Sequence, residues 1–126
     1  MDPRKQRGDA AERRATQLLI DAGYRIVDLN FRCRVGELDI VARDGDALVF
    51  VEVRYRSGDE YGSAVDAIGG RKQHRVVRVA RYYLAAIESG ANRSGADQPP
   101  FTACRFDVVA ITGDELVLVK DAFRVR

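Results

Sequence analysis

The ten-residue segment Ala47–Arg56, ALVFVEVRYR, constrains the fold of this 126-residue chain more than any other segment. It is the most apolar run in the sequence and contains the β-branched and aromatic residues that strands favour, so it predicts a strand at the centre of a sheet. The turn signal Asp44-Gly45-Asp46 comes directly before it. The strand predicted over Glu37–Arg43 should therefore pair with it as an antiparallel neighbour.

Apolar periodicity divides the rest of the chain into further elements. A helix is predicted from Gly8 or Asp9 to Ala22, and a second one within Ala64–Ser89, with its main part beginning near Arg71 after Gly69-Gly70. The remaining predicted strands are Tyr24–Arg34, Phe101–Thr112 and Glu115–Val119. The order αβββαββ predicts one α/β domain over residues 1–126, with a mixed five-stranded sheet flanked by helices. Residues 1–7 are expected to form a mobile basic arm, and residues 89–100 a flexible loop.

Composition narrows the class of protein. Apolar residues make up 46% of the chain, which is enough for a core and excludes a chain that is disordered throughout. No stretch approaches the roughly 18 apolar residues of a membrane-spanning helix, and no apolar segment follows the basic N-terminus as in a secretory signal. Cys33 and Cys104 are too few for a disulfide framework, and with His74 they make no zinc-binding spacing. We therefore expect a cytoplasmic protein that does not contact membranes.

Several acidic residues lie in strands that the sequence predicts to be buried in the sheet. Glu37 and Asp39 alternate along one strand, Glu52 and Arg54 share a face of the next, and Asp39 and Glu52 can approach each other across the ladder. Burying an unpaired carboxylate such as Glu52 costs several kcal/mol or raises its pKa. A divalent cation such as Mg²⁺ or Mn²⁺ would remove this cost. The alternative left open by the pattern is an ion pair between Glu52 and Arg54, Arg56 or another arginine.

Basic residues gather on the second helix without interspersed acids. Helical spacing places several of them opposite the apolar face, which indicates a surface for backbone phosphates or, alternatively, a solvated helix face. Further arginines flank the acidic segment. The candidate nucleic-acid contacts are Arg71, Lys72, Arg75, Arg78 and Tyr82 on the helix, with Arg32, Arg34 and Arg56 near the acidic residues.

Asp39 followed by Glu52-Val53-Arg54 resembles the PD-(D/E)xK nuclease motif. From about Gly8 to Val119, the chain resembles the bacterial YraN family of predicted endonucleases. The matching residues are Gly8, Glu12, Asn30, Gly36-Glu37-Leu38-Asp39, Phe50-Val51-Glu52-Val53, Arg56, Gly62, Lys72 and Arg105-Phe106-Asp107.

The resemblance implies a restriction-endonuclease-like core, similar to archaeal Holliday-junction resolvases, and a metal-dependent endonuclease acting on DNA, including branched DNA. It implies Asp39, Glu52 and the Val53 carbonyl as metal ligands, with Glu37 contributing through water. It also brings Glu12 into the catalytic site and suggests a homodimer. The cation of the motif is Arg54, where the family pattern has lysine. Arginine keeps the charge but needs more room, so the alternative is a nucleic-acid-binding module with a degenerate, non-catalytic site.

Overall fold

A computed structural model describes residues 3–56, 70–88 and 101–123. It confirms the α/β class and the order αβββαββ, with a five-stranded mixed sheet flanked by helices. The elements are α1 (Pro3–Asp21), β1 (Arg25–Cys33), β2 (Gly36–Asp44), β3 (Ala47–Arg56), α2 (Gly70–Glu88), β4 (Ala103–Thr112) and β5 (Glu115–Phe123). The predicted loop over 89–100 lies outside the described residues.

The strands follow one another across the sheet in chain order, β1-β2-β3-β4-β5. β3 is the central strand, as its apolar sequence predicted, and it pairs parallel to β4 while the other neighbours are antiparallel. A parallel pair needs a long crossover connection, which here includes α2. The acidic strands β2 and β3 are therefore antiparallel neighbours inside the sheet.

The two helices pack on opposite faces of the sheet. α1 buries Ala15 and Leu19 in a cluster with Val49 and Val51 of β3. α2 contributes Val76, Val79, Ala80 and Tyr83 to a second cluster that contains Leu48 and Phe50 of the same strand. Both faces of β3 are covered, which is why its sequence is almost continuously apolar. Within the described residues, neither helix is long and apolar enough to cross a membrane.

Helix α1 begins earlier than the sequence predicted. It starts at Pro3 rather than at Gly8 or Asp9, so residues 3–7 of the expected basic arm belong to the helix. Proline is favourable at the first helical position because its fixed φ suits the helix and its missing N–H would have no partner there. Asp9 and Glu12 consequently lie inside the helix.

A buried polar network around Asp107 joins β4 to its neighbours. Asp107 is fully buried and accepts hydrogen bonds from the Tyr24 hydroxyl at 2.7 Å, from Arg105 Nε at 2.8 Å and from the Asp121 amide at 2.9 Å. Arg105 also donates to the Asp44 carboxylate at 2.8 Å. Each donor comes from a different element or strand end, so this carboxylate ties β4 to its surroundings.

Removing the Asp107 carboxylate should destabilise the fold while leaving Asp39 and Glu52 in place. Asp107→Ala removes the acceptor of the Tyr24 hydroxyl and one of the two carboxylates that bind Arg105, so the loss should lie near the lower end of the cost of breaking a buried ion pair, about 3 kcal/mol. Urea unfolding followed by circular dichroism measures the loss, with the exposed Glu115→Ala as control. Equal unfolding free energies for the two variants would contradict the structural role of Asp107.

Candidate metal and nuclease site

The pairing of β2 with β3 stops where the acidic residues begin. The last paired residues at this end are Ile40 and Val51. One position further on, the Val53 amide donates to the Asp39 carboxylate at 2.9 Å, so a side chain takes the place of a ladder carbonyl. Side-chain alternation also breaks here, because Leu38 packs in the α2 cluster whereas Ile40 packs in the α1 cluster. This irregularity turns the Asp39 carboxylate toward β3.

Asp39 and Glu52 meet at this break in the ladder. Glu52 is only 7% exposed, and its carboxyl group lies beside that of Asp39. Burial and the neighbouring charge of Glu52 raise the pKa of Asp39 to about 7. A proton or a cation relieves the repulsion between two carboxyl groups that lie side by side. The convergence predicted from the sequence is therefore confirmed.

The cation that reaches Glu52 comes from α2. Lys72 Nζ lies 2.6 Å from Glu52 Oε1, and the lysine side chain is 36% exposed against 8% for the glutamate. The ion pair left open by the sequence thus forms with a lysine of another element and not with Arg54. The Arg56 side chain lies outside the described residues.

A cleft of about 300 Å³ opens over the two carboxylates. Its lining includes Gly36, Glu37, Asp39, Glu52, Lys72 and Arg75. Gly36 has a φ of +148°, and a Cβ added there would lie 3.0 Å from the Val79 side chain. Glycine therefore lets the β1–β2 turn approach α2 closely enough to close this wall of the cleft.

The donor set of the cleft fits a hard divalent cation. Mg²⁺ is usually held by one or two carboxylates and retains several waters, and a carboxylate pair with open space beside it meets that requirement. No group of three or more histidine, cysteine or acidic side chains arranged for a metal occurs within residues 3–56, 70–88 and 101–123. Asp39 and Glu52 would thus be the direct side-chain ligands. Glu37 lines the cleft but forms an ion pair with Arg32 at 3.2 Å. Val53 contacts Asp39 through its backbone amide.

Glu12 approaches this region from α1. Its carboxylate accepts a hydrogen bond from the Asn30 side-chain amide at 2.8 Å. Burial raises the pKa of Glu12, the Asn30 hydrogen bond opposes that rise, and the charges of Asp9 and Glu37 add to it. Glu12 does not line the cleft with Asp39 and Glu52, but it lies close enough to Glu37 to feel its charge.

Asn30, one of the residues that carry the family resemblance, positions the carboxylate of Glu12. Its φ is +54°, a left-handed conformation that asparagine tolerates better than most residues. It stands opposite Asp39, between the paired residues Leu29–Ile40 and Phe31–Leu38. β1 is therefore irregular at the same level as β2, and this turns the Asn30 amide toward α1.

Comparisons with known proteins show which family the chain belongs to. The model of a family described as "Uncharacterised protein family UPF0102" matches residues 11–111. The chain is 44% identical over 120 residues to the UPF0102 protein of Lachnoclostridium phytofermentans, covering 95% of this chain and 94% of the relative. It is 42% identical over 120 residues to the UPF0102 protein YraN of Salmonella newport, covering 95% and 86%. The chain belongs to the UPF0102 (YraN) family. A further member, from Xanthomonas euvesicatoria pv. vesicatoria, is 46% identical over 123 residues.

Only some of the basic residues that were predicted to contact nucleic acid are exposed to solvent. Arg75, Arg78 and Tyr82 are exposed on α2, as are Arg32 and Arg34 near the β1–β2 turn. Lys72 instead points into the cleft, which the sequence did not predict. One feature of the sequence indicated a special role for Lys72. A lysine in the first turn of a helix lies at the positive end of the helix dipole, which is unfavourable for a cation. The Arg71 side chain lies outside the described residues.

The raised pKa of Asp39 predicts a pH-dependent gain from neutralising it. In the folded protein Asp39 stays protonated up to about pH 7, whereas in the unfolded chain it ionises near pH 4, so wild-type stability falls as pH rises between these values. Asp39→Asn removes this loss and keeps an acceptor for the Val53 amide. The variant should gain about 3 kcal/mol over wild type between pH 4.5 and 8, from roughly 1.36 kcal/mol per pKa unit.

Denaturant unfolding across this pH range, without divalent metal, measures the gain. Glu88→Gln, which removes an exposed carboxylate at the end of α2, serves as the control. A difference between Asp39→Asn and wild type that does not change with pH would contradict the buried carboxyl pair.

Variants of Asn30 separate its backbone conformation from its amide. Asn30→Gly keeps the left-handed conformation and loses the hydrogen bond, whereas Asn30→Ala loses both and should be about 1 kcal/mol less stable than the glycine variant. Both should raise the pKa of Glu12 further, because the amide hydrogen bond lowers it. Carboxyl titration of Glu12 by NMR tests this, and an unchanged pKa in both variants would show that the contact is not formed in solution.

Proposed function

We propose that this protein is a metal-dependent endonuclease that hydrolyses phosphodiester bonds in DNA, including branched or structured DNA. The observation that carries the proposal is the contact between the Asp39 and Glu52 carboxyl groups in a buried cleft. Burial and the charge of Glu52 raise the pKa of Asp39, and a cation bound by both carboxylates would remove the cost of ionising Asp39. A site that only stabilised the fold would be better served by apolar residues of similar size.

A Mg²⁺ or Mn²⁺ ion held by Asp39 and Glu52 would lower the pKa of a bound water and offset charge that develops on the phosphate. The two carboxylates would orient that water toward phosphorus. The Val53 carbonyl and, through water, Glu37 complete the proposed ligand set. Glu12, held by Asn30, would add a third negative charge at the edge of the site.

The hydrolysis has a simple balance. A bond forms between the water oxygen and phosphorus, one ester P–O bond breaks, the water gives up a proton, and the leaving oxygen takes one. The phosphodiester gains one unit of negative charge in the transition state, and Arg75 at the wall of the cleft can offset part of it.

The basic side chains around the cleft support nucleic acid as the substrate. Arg75, Arg78 and Tyr82 on α2 and Arg34 at the β1–β2 turn are exposed. Guanidinium groups bind phosphate through paired hydrogen bonds, and such contacts give affinity that depends on salt rather than on base sequence. Cleavage of both strands of a branch would call for two copies of the chain, and the two free cysteines suit the reducing cytoplasm.

The Lys72–Glu52 ion pair supports a second candidate function. Because the ammonium already neutralises Glu52, the cleft can persist without any metal. The protein would then be a nucleic-acid-binding module whose nuclease site is degenerate, with Arg54 in place of the lysine of the motif. This candidate predicts salt-sensitive binding without cleavage.

A cleavage panel separates the two candidates. The substrates are labelled single-stranded, duplex, flap and four-way-junction DNA and a matched RNA, each with Mg²⁺, Mn²⁺ or Ca²⁺. We expect cleavage with Mg²⁺ or Mn²⁺ that falls by about 100-fold or more in Asp39→Asn and Glu52→Gln, since each removes a ligand charge. Glu88→Gln, about 24 Å along α2 from Lys72, is the matched control and should cleave like wild type.

The outcomes are distinct. Cleavage that survives in both Asp39→Asn and Glu52→Gln would place the activity elsewhere or in a contaminant. Binding of the same substrates by wild type, with no product under any metal, would favour the binding module.

A further inference from the structure

Arg54 does not occupy the position that the nuclease motif gives to its cation. Strand alternation places it on the same face of β3 as Glu52, but it does not line the cleft. In the described part of the chain no ion pair joins it to Asp39 or Glu52, and its Nε is buried without a hydrogen-bond partner. Its guanidinium therefore leaves the carboxyl pair to another cation.

Lys72 occupies that position from a different element. Its Nζ lies 2.6 Å from Glu52 Oε1 and it lines the cleft together with Asp39. The lysine side chain is more than four times as exposed as that of the glutamate, so it reaches the carboxylate from the solvent side, where substrate would enter. An ammonium is compact and carries three donors, which lets it contact a carboxylate and a neighbouring water or phosphate oxygen at once.

The location of Lys72 in its helix is unfavourable for helix stability. α2 has no acidic residue in its first turn, and Lys72 stands there beside Arg71, at the positive end of the helix dipole. Residues that break a local rule without a local gain are typical of functional sites. The gain for Lys72 lies across the cleft, at Glu52.

We propose that Lys72 of α2, and not residue 54 of β3, is the catalytic cation of this site, where it contacts the attacking water and the scissile phosphate. The proposal rests on the proposed nuclease function and names the group that acts in it. Two carboxylates and a divalent ion balance each other in charge, so the extra negative charge of the pentavalent phosphate needs one more positive group. Lys72 supplies it. The lysine absent from position 54 is thereby replaced in space by one from the helix.

The decisive comparison uses variants of equal charge change on one helix. Lys72→Met removes the ammonium from the cleft, and Arg78→Met removes a guanidinium from the exposed face. We expect the single-turnover cleavage rate of Lys72→Met to fall by about 100-fold or more, as for loss of one transition-state donor. Its DNA dissociation constant, measured in Ca²⁺, should change no more than that of Arg78→Met.

A second readout needs no cleavage. In wild type a divalent ion must displace the ammonium from Glu52, whereas in Lys72→Met it meets no competitor. The rise in melting temperature on Mg²⁺ titration should therefore begin at lower concentration in Lys72→Met than in wild type or Arg78→Met. Without metal, Lys72→Met should melt below wild type, because Glu52 loses its only counter-charge in the described part of the chain.

The two proposals fail in different ways. If wild type cleaves and Lys72→Met cleaves equally well with weakened DNA binding, Lys72 is a phosphate contact and the inference is wrong. The same holds if Arg54→Lys raises the rate while Lys72→Met leaves it unchanged. Wild type can also fail to cleave any substrate while the Mg²⁺ titration distinguishes Lys72→Met from Arg78→Met. The nuclease proposal is then wrong, but the contact between Lys72 and Glu52 is supported. Identical Mg²⁺ titrations for all three proteins would show that Lys72 does not occupy the carboxyl pair.

Discussion

The contact between two carboxyl groups at the end of the β2–β3 ladder determines the character of the rest of the site. Asp39 and Glu52 are held there by backbone geometry, since the Val53 amide binds Asp39 where a strand carbonyl would otherwise accept it. Burial then sharpens their mutual repulsion, because water is no longer present to screen it. A proton, a lysine or a divalent ion can relieve that repulsion, and each gives the protein a different state.

The described part of the chain contains two buried acidic sites with opposite properties. Asp107 receives hydrogen bonds from Tyr24, Arg105 and Asp121, so its charge is satisfied by local donors and it holds strands together. Asp39 has one backbone donor and a second carboxyl group as its neighbour. A buried carboxylate with several donors stabilises a structure, whereas a carboxyl pair that faces a cleft, with a raised pKa at one member, is a candidate for a functional site. This contrast separates the acidic residue of structural value from the candidates for chemistry.

The start of α2 links the sheet to the cleft. Gly36 permits the β1–β2 turn to approach Val79, and this contact helps to set the height of the helix above β2. The helix then carries Lys72 over Glu52 and presents Arg75 at the wall, while Arg78 and Tyr82 remain outside. One helix thus provides a buried apolar face, a cation for the carboxyl pair and an exposed basic surface.

The sequence by itself determined the layout of the sheet and the presence of a carboxylate within its buried central strand. Ala47–Arg56 is apolar on both faces and could only be a central strand, and Glu52 within it demanded a partner. Tertiary structure decided which partner it has. The interrupted ladder at Asp39, the left-handed Asn30 and the three donors of Asp107 depend on pairing between residues far apart in the chain. The approach of Lys72 depends on where a helix begins relative to a strand about 20 residues earlier. Local patterns report which face of an element is buried, but they contain no information on how that element is offset against its neighbours, and that offset places the charges.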